Sequence, residues 1–243
     1  MPPELAVVIP VHNEGDNIVA LMEEVCAALR GRVSFEIMVV DDQSSDDTPG
    51  RLATAAIPEL RVIRHRRNAG QSTAVHSGVR FARAPLIATL DGDGQNDPAD
   101  IPALLDAWQK ERHDTPLLIA GQRTDRHDTF VRRASSRIAN AVRGRLLRDR
   151  TPDTGCGLKL FERDTFLSLP YFDHMHRFLP ALVLRAGGRV ISVPVHHRAR
   201  QAGQSHYGIG NRLWTGILDM LGVMWLARRV RHGDGVEEKR GEP

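Results

Sequence analysis

The chain is poor in cysteine and lysine and holds no long apolar run. Its two cysteines, Cys26 and Cys156, form no metal-ligand or redox pattern, and their scarcity points to a reducing compartment. Among 33 basic residues lysine occurs only at Lys110, Lys159 and Lys239, so the net charge of +3 rests on arginine, which forks well onto phosphate. No stretch reaches the ~20 apolar residues that a spanning helix needs. The N-terminus passes from Met-Pro-Pro-Glu directly into a strand pattern, which predicts no signal peptide. No Gly-x-Gly-x-x-Gly follows that first strand, which excludes a dinucleotide dehydrogenase. Internal repeats and low-complexity tracts are absent. What is present, 243 residues with 41% hydrophobic and 26% charged content, is enough to bury a substantial core.

Periodicity alternates along the chain. Leu5 to Pro10 is a continuous apolar run, the sign of a strand buried on both faces. Asp16 to Leu29 repeats apolar residues at helical spacing through Ile18, Leu21, Met22, Val25 and Leu29. Strands are predicted over Phe35–Val40, Leu60–Arg64, Leu86–Leu90, Pro116–Ala120 and Val190–Val195, and helices over Asp46–Ala56, Gln71–Ala82, Pro98–Gln109, Thr129–Leu147 and Phe178–Ala186. Such alternation predicts an α/β fold with a mostly parallel central sheet flanked by helices, whose ligands bind beyond the carboxyl ends of the strands. Ile209 to Arg229 reads as one further helix. At about 100° per residue, Leu213, Ile217, Met220, Leu221 and Met224 share a face, with Trp214 and Trp225 on its flank and Asn211, Thr215, Asp219 and Gly222 opposite. Residues 228–243 are charged and aperiodic and read as a disordered tail.

The strand at Leu86 ends in Asp91-Gly-Asp93-Gly-Gln95. Alternating residues on extended backbone point the same way, so Asp91, Asp93 and Gln95 can aim three oxygens at one Mg²⁺ or Mn²⁺ shared with a substrate phosphate. An acidic turn is the plain alternative. Pro10-Val-His-Asn13-Glu14 after the first strand can hold a base or ribose, and Asp41-Asp42 after the second can accept hydrogen bonds from a nucleotide. Each also makes an ordinary turn with a helix cap. His174-Met-His176 and His196-His197 read as structural or surface pairs, and the basic helix 132–148 lacks the aromatic interleaving of a nucleic-acid binder.

In this order, Pro-x-x-Asn-Glu, Val-Val-Asp-Asp-x-Ser-x-Asp-x-Thr, Asn68-x-Gly70, Asp-Gly-Asp-x-Gln, Gly121-Gln-Arg123, Arg132 to Ser136 and Asp153-Thr-Gly-Cys-Gly-Leu-Lys-Leu-Phe161 resemble the inverting glycosyltransferases of GT-A fold. The match looks like their polyprenyl-phosphate branch, the dolichyl-phosphate mannose synthase-like enzymes, and covers roughly residues 5–227. The resemblance implies one GT-A domain over 1–227: a nucleotide-sugar-binding half (1–123), an acceptor-binding half (124–208) and the C-terminal amphipathic helix (209–227). It implies that Pro10, Asn13, Glu14, Asp41 and Asp42 line the nucleotide pocket and that Asp91, Asp93 and Gln95 hold Mg²⁺ or Mn²⁺. Arg123 would reach the donor diphosphate or the acceptor phosphate. Arg132, Arg133 and Ser136, with Arg200, Ser205 and His206, would bind the acceptor phosphate. His206 and Gln71 stand where relatives often carry lysine.

The implied reaction moves a sugar, mannose in the commonest case, from a nucleotide diphosphate to a polyprenyl phosphate such as undecaprenyl or dolichyl phosphate. A phosphate monoester has a second pKa near ~6, so the attacking oxygen is already anionic and needs no general base. In keeping with this, the chain lacks the Glu-Asp dipeptide that hydroxyl-using relatives employ, and the Gln-x-x-Arg-Trp of processive synthases. Direct displacement inverts the anomeric centre. The expected setting is cytoplasmic, with peripheral membrane contact through the last helix and no nucleic-acid partner. A transferase acting on a saccharide hydroxyl and a non-catalytic nucleotide-binding module are the alternatives.

Overall fold

The computed structural model describes residues 2–124, 144, 146, 147, 149, 151–198 and 209–229; within the last helix, side chains are described for 216 and for 218 onward. The predicted helix Thr129–Leu147 lies almost wholly outside the described residues, and the predicted tail does so beyond residue 229.

The elements follow in order as β1 (Leu5–Val11), α1 (Gly15–Leu29), β2 (Phe35–Asp41), α2 (Thr48–Thr54), β3 (Leu60–Arg64), α3 (Gln71–Phe81) and β4 (Leu86–Thr89). A 3₁₀ turn (Pro98–Asp100), α4 (Ile101–Glu111), β5 (Leu117–Arg123), β6 (Lys159–Glu162) and α5 (Arg163–Ser168) come next. A second 3₁₀ turn (Met175–Arg177), α6 (Leu179–Arg185), β7 (Arg189–Val195) and α7 (Ile209–Arg228) complete the described chain. One seven-stranded sheet runs β3-β2-β1-β4-β6-β5-β7. β6 is antiparallel to both of its neighbours, and every other pairing is parallel.

Alternation along β1 shows why its sequence is apolar throughout. Leu5, Val7, Ile9 and Val11 enter the core layer beneath α1 and α4, whereas Ala6 and Val8 enter the layer beneath α3, α5 and α6. Both faces are covered, so no position can be polar without a partner. Register then places the mouth. Pro10 pairs with Val40, Val11 with Asp41, and Val8 with Thr89. The segments after β1, β2 and β4 therefore open at one edge of the sheet. β6 runs the other way, and its first residue, Lys159, pairs with Thr89 at that same edge.

The last helix is rotated from its expected setting. Val223 is buried and Met220 and Met224 pack against the second core layer, but Leu221, expected beside them, is 53% exposed. Asp219, expected on the far side, faces the body and accepts a hydrogen bond from His174 Nδ1 at 3.0 Å. Leu218, Leu221 and Trp225 form an outward stripe instead.

Candidate active site

At the end of β1, Asn13 adopts a left-handed φ of 58°, which asparagine tolerates better than most residues. Its Oδ1 accepts from Ser45 N at 2.8 Å and Asp46 N at 3.3 Å, and its own N–H donates to Ser44 Oγ. Asn13 thus ties the β1 loop to the β2 loop. Glu14 Oε2 accepts from Asn17 Nδ2 at 2.8 Å, in the first turn of α1. Pro10 is partly buried, and its carbonyl lies against Gly92.

The paired aspartates after β2 are buried and already engaged. Asp41 Oδ1 accepts from Ser44 N at 2.8 Å, and Arg64 Nε lies 3.1 Å from Oδ2. Asp42 accepts from Ala69 N at 2.9 Å, from Gly70 N at 2.7 Å and from His65 Nδ1 at 2.7 Å. His65 in turn reaches Ser77 Oγ at 2.9 Å. Asp41 fixes the turn at Ser44, Asp42 fixes the loop in front of α3, and each also meets a side chain, Arg64 and His65 respectively.

Asp91 and Asp93 stand at the end of β4. Asp93 Oδ1 accepts from Gln95 N at 3.1 Å across a turn in which Gly94 has a φ of 71°. Asp91 Oδ1 accepts from Gln71 Nε2 at 2.8 Å. The Asp91 carboxylate occupies the space that a side chain at Gly157 would need, so only glycine fits there. Burial first, then the charge of Asp93, push the Asp91 carboxyl up to about 6, against the pull of Lys159 and Arg123. A like-charged pair of carboxylates that resists full ionisation is one that a cation relieves. Among the described residues no group of three His, Cys, Asp or Glu side chains is placed to hold a metal. Two carboxylates and the Gln95 amide fit an oxygen-seeking Mg²⁺ or Mn²⁺ that completes its shell with water and substrate phosphate.

Arg123, at the end of β5, grips Asp153 with two bonds of 2.7 and 2.8 Å. Its fork is thereby oriented across the mouth by a residue 30 positions away. Arg132, Arg133, Ser136, Arg200, Ser205 and His206 lie outside the described residues.

Sequence reasoning passed over two groups at this mouth. Lys159 is 4% exposed, and its ammonium donates to the Cys156 carbonyl. Burial lowers its pKa. His176 shares a 2.6 Å hydrogen bond with Ser72 Oγ. Its imidazole is pushed down to about 3, by burial first and then by the charge of Lys159. The signals were the lone lysine inside the Gly-Leu-Lys-Leu-Phe run and the His174-Met-His176 pair; only the fold shows which histidine turns inward. His196, in the other pair, donates from Nδ1 to Asp100 Oδ1 at 2.8 Å and from its backbone N–H to Oδ2 at 2.6 Å, so it ties β7 to the turn before α4.

Residues 6–168 match the model of the glycosyl transferase family 2. The chain is 37% identical over 238 residues to the dodecaprenyl-phosphate galacturonate synthase of Rhizobium johnstonii, covering 93% of this chain and 68% of that protein. It is 34% identical to the undecaprenyl-phosphate 4-deoxy-4-formamido-L-arabinose transferase of Edwardsiella ictaluri, covering 84% of this chain and 63% of the relative. The chain thus spans about two thirds of the length of these relatives. Among solved structures, mannosyl-3-phosphoglycerate synthase from Rubrobacter xylanophilus superposes with a TM-score of 0.71 at 15% identity, over 99% of this chain and 79% of that one. Glucosyl-3-phosphoglycerate synthase from Mycobacterium tuberculosis, solved with Mg²⁺ and UDP, gives 0.69 at 15% identity, over 95% and 81%. These two share the fold.

Proposed function

The chain belongs to glycosyl transferase family 2, and from that premise we propose that it transfers a sugar from a nucleotide diphosphate to a polyprenyl phosphate, with inversion. The observation that carries the proposal is the like-charged pair Asp91/Asp93 at the sheet mouth, beside the loops after β1 and β2. The names of both relatives support the acceptor, because each carries a polyprenyl phosphate. Mannose from GDP-mannose is the donor implied by the sequence pattern; galacturonate and a formamido-arabinose are the sugars in the relatives' names.

Asp91, Asp93 and Gln95 would hold Mg²⁺ or Mn²⁺, which when bound draws charge off the leaving diphosphate. The protein's own groups do the rest by alignment. Pro10, Asn13, Glu14, Asp41 and Asp42 set the walls of the nucleotide pocket, the aspartates by fixing the loops that form it. Arg123, held by Asp153 through Nε and Nη2, keeps its Nη1 side for phosphate oxygens. Arg132, Arg133 and Ser136, with Arg200, Ser205 and His206, hold the acceptor phosphate in line with the anomeric carbon. Its oxygen is anionic at neutral pH, so no side chain has to remove a proton. Positioning and charge stabilisation of this sort supply on the order of 7–11 kcal/mol.

A polyprenyl chain stays in its bilayer, so the enzyme comes to the surface. No helix among the described residues is long and apolar enough to cross a membrane. The outward stripe of α7, Leu218, Leu221 and Trp225, ends at Arg228 and Arg229, and the Arg229 guanidinium sits 5.1 Å from the Trp225 ring centroid. Apolar side chains flanked by tryptophan and arginine suit the headgroup boundary of an anionic membrane. The proposal is tested by nucleoside diphosphate release that requires polyprenyl phosphate. EDTA and Asp93→Ala each abolish it if the assignment holds, and full turnover under either condition refutes it.

A further inference from the structure

The first turn of α3 holds the donor site together, yet it has no side-chain cap. Its N-cap is Gly70, at a φ of 85°, with no capping hydrogen bond from a side chain. The opening turn of a helix has N–H groups without intrahelical acceptors and is the part most prone to fray. In α3 that turn carries Gln71, whose amide fixes Asp91.

Asp42 holds the backbone just before the turn, at Ala69 and Gly70, and the segment 171–177 holds the side chains of the turn itself. Tyr171 Oη donates to Thr73 Oγ1 at 2.8 Å. His176 Nδ1 and Ser72 Oγ share a bond of 2.6 Å, and Ser72 is 1% exposed. Between these tethers Met175 is buried in the second core layer. His174, on its other flank, is anchored to Asp219 of α7. The strap is therefore anchored to the body on both sides of His176's neighbour Met175. His176 has no part in the transfer chemistry above. Its neutral ring adds a hydrogen bond beside the buried ammonium of Lys159 without adding a second positive charge.

We propose that His176 is a positioning residue of the donor site: its bond to Ser72 fixes the first turn of α3 and, through Gln71, the carboxylate of Asp91. The proposal rests on the transfer function above and adds to it a residue that touches no substrate. Displacing a site group by about 1 Å can cost on the order of 100-fold in rate. His176→Phe keeps a ring and removes the bond. It lowers kcat about 10- to 100-fold and raises the Mn²⁺ concentration for half-saturation, while the KM for nucleotide sugar moves less than about threefold. His176→Asn, whose amide nitrogen can stand in for Nδ1, retains kcat within about threefold of the wild type.

Ser72→Ala reproduces the loss, and the double variant Ser72→Ala/His176→Phe falls no further than either single one, because both break one bond. Wild-type kcat and Mn²⁺ dependence in both single variants, or losses that multiply in the double variant, overturn the positioning role. Should His176→Phe fail to fold, Ser72→Ala alone decides. Lipid product from the wild type separates the two claims: with it, unaffected variants refute only the role of His176. Without it, the transfer function fails, and the comparison moves to Mn²⁺-dependent binding of nucleoside diphosphate by calorimetry. There, a rise of about threefold or more in the Mn²⁺ concentration that half-saturates nucleoside diphosphate binding in both single variants sustains the role of His176, and an unchanged Mn²⁺ requirement overturns it.

Discussion

Replacing Asp91 by asparagine should inactivate the protein and stabilise it. The carboxyl is pushed from its ordinary 3.8 up to about 6, and each unit corresponds to about 1.36 kcal/mol. Keeping the group ionised at pH 7 therefore costs the fold up to ~3 kcal/mol. Part of the side chain still meets solvent, so about half of that, ~1.5 kcal/mol, is the expected gain on neutralisation. Asparagine has the same shape, still fits over Gly157 and still accepts from Gln71. For a chain of this size the gain raises Tm by roughly 3–6 °C. The sign with pH follows from the direction of the shift. The folded pKa lies above the unfolded one, so the folded state binds more protons between about pH 4 and 6, and this group's contribution improves as pH falls through that window. The advantage of Asp91→Asn should be full at pH 7 and vanish near pH 4, in thermal melts run in EDTA. A variant that melts below the wild type at pH 7, or by the same difference at both pH values, would refute the reasoning. His176 supplies the mirror image. Its folded pKa is pushed from 6.5 down to about 3, so its contribution is lost as pH drops below about 6.5, and His176→Asn should be less acid-sensitive than the wild type.

Sedimentation with anionic liposomes at low salt should pull the protein down. Trp225→Glu or Leu221→Glu should weaken this about tenfold, from ~1.4 kcal/mol of lost interfacial burial, with Tm unchanged; a wild type that stays in the supernatant contradicts the membrane face. Arg132→Ala should raise the KM for polyprenyl phosphate much more than that for nucleotide sugar, measured by varying each substrate in turn. Equal effects on both would place Arg132 on the donor.

The parts of the fold legible in the sequence were those with a single physical cause. β1, β2 and β4 announced themselves by apolar runs because both sheet faces are covered, whereas β3, half-exposed at the sheet's edge, showed itself by a short β-branched stretch between arginines. α3 came within a residue of its predicted end because its apolar spacing meets β1 and β2. β6 was missed: it spans four residues, and its lysine reads as solvent-facing although the mouth buries it. α5, at six residues, is too short to show a period. The rotation of α7 escaped because Asp219 finds its partner, His174, 45 positions earlier, and periodicity cannot weigh a long-range bond against an apolar contact. The same limit hid the Arg123–Asp153 pair, the hold of Asp42 on residues 69 and 70, and the inward turn of His176. The site motifs lay in order along the chain, but which of their atoms face a ligand and which face their own backbone is a tertiary property.

The most direct measurement incubates the purified protein with Mn²⁺, undecaprenyl phosphate in detergent and a panel of labelled donors (GDP-mannose, UDP-glucose, UDP-N-acetylglucosamine and UDP-galacturonate), then extracts with organic solvent. Label from one donor should enter the organic phase only when lipid phosphate and metal are both present, with the sugar inverted at its anomeric carbon. Label that remains aqueous for every donor, or passes instead to an added saccharide, would contradict transfer to polyprenyl phosphate.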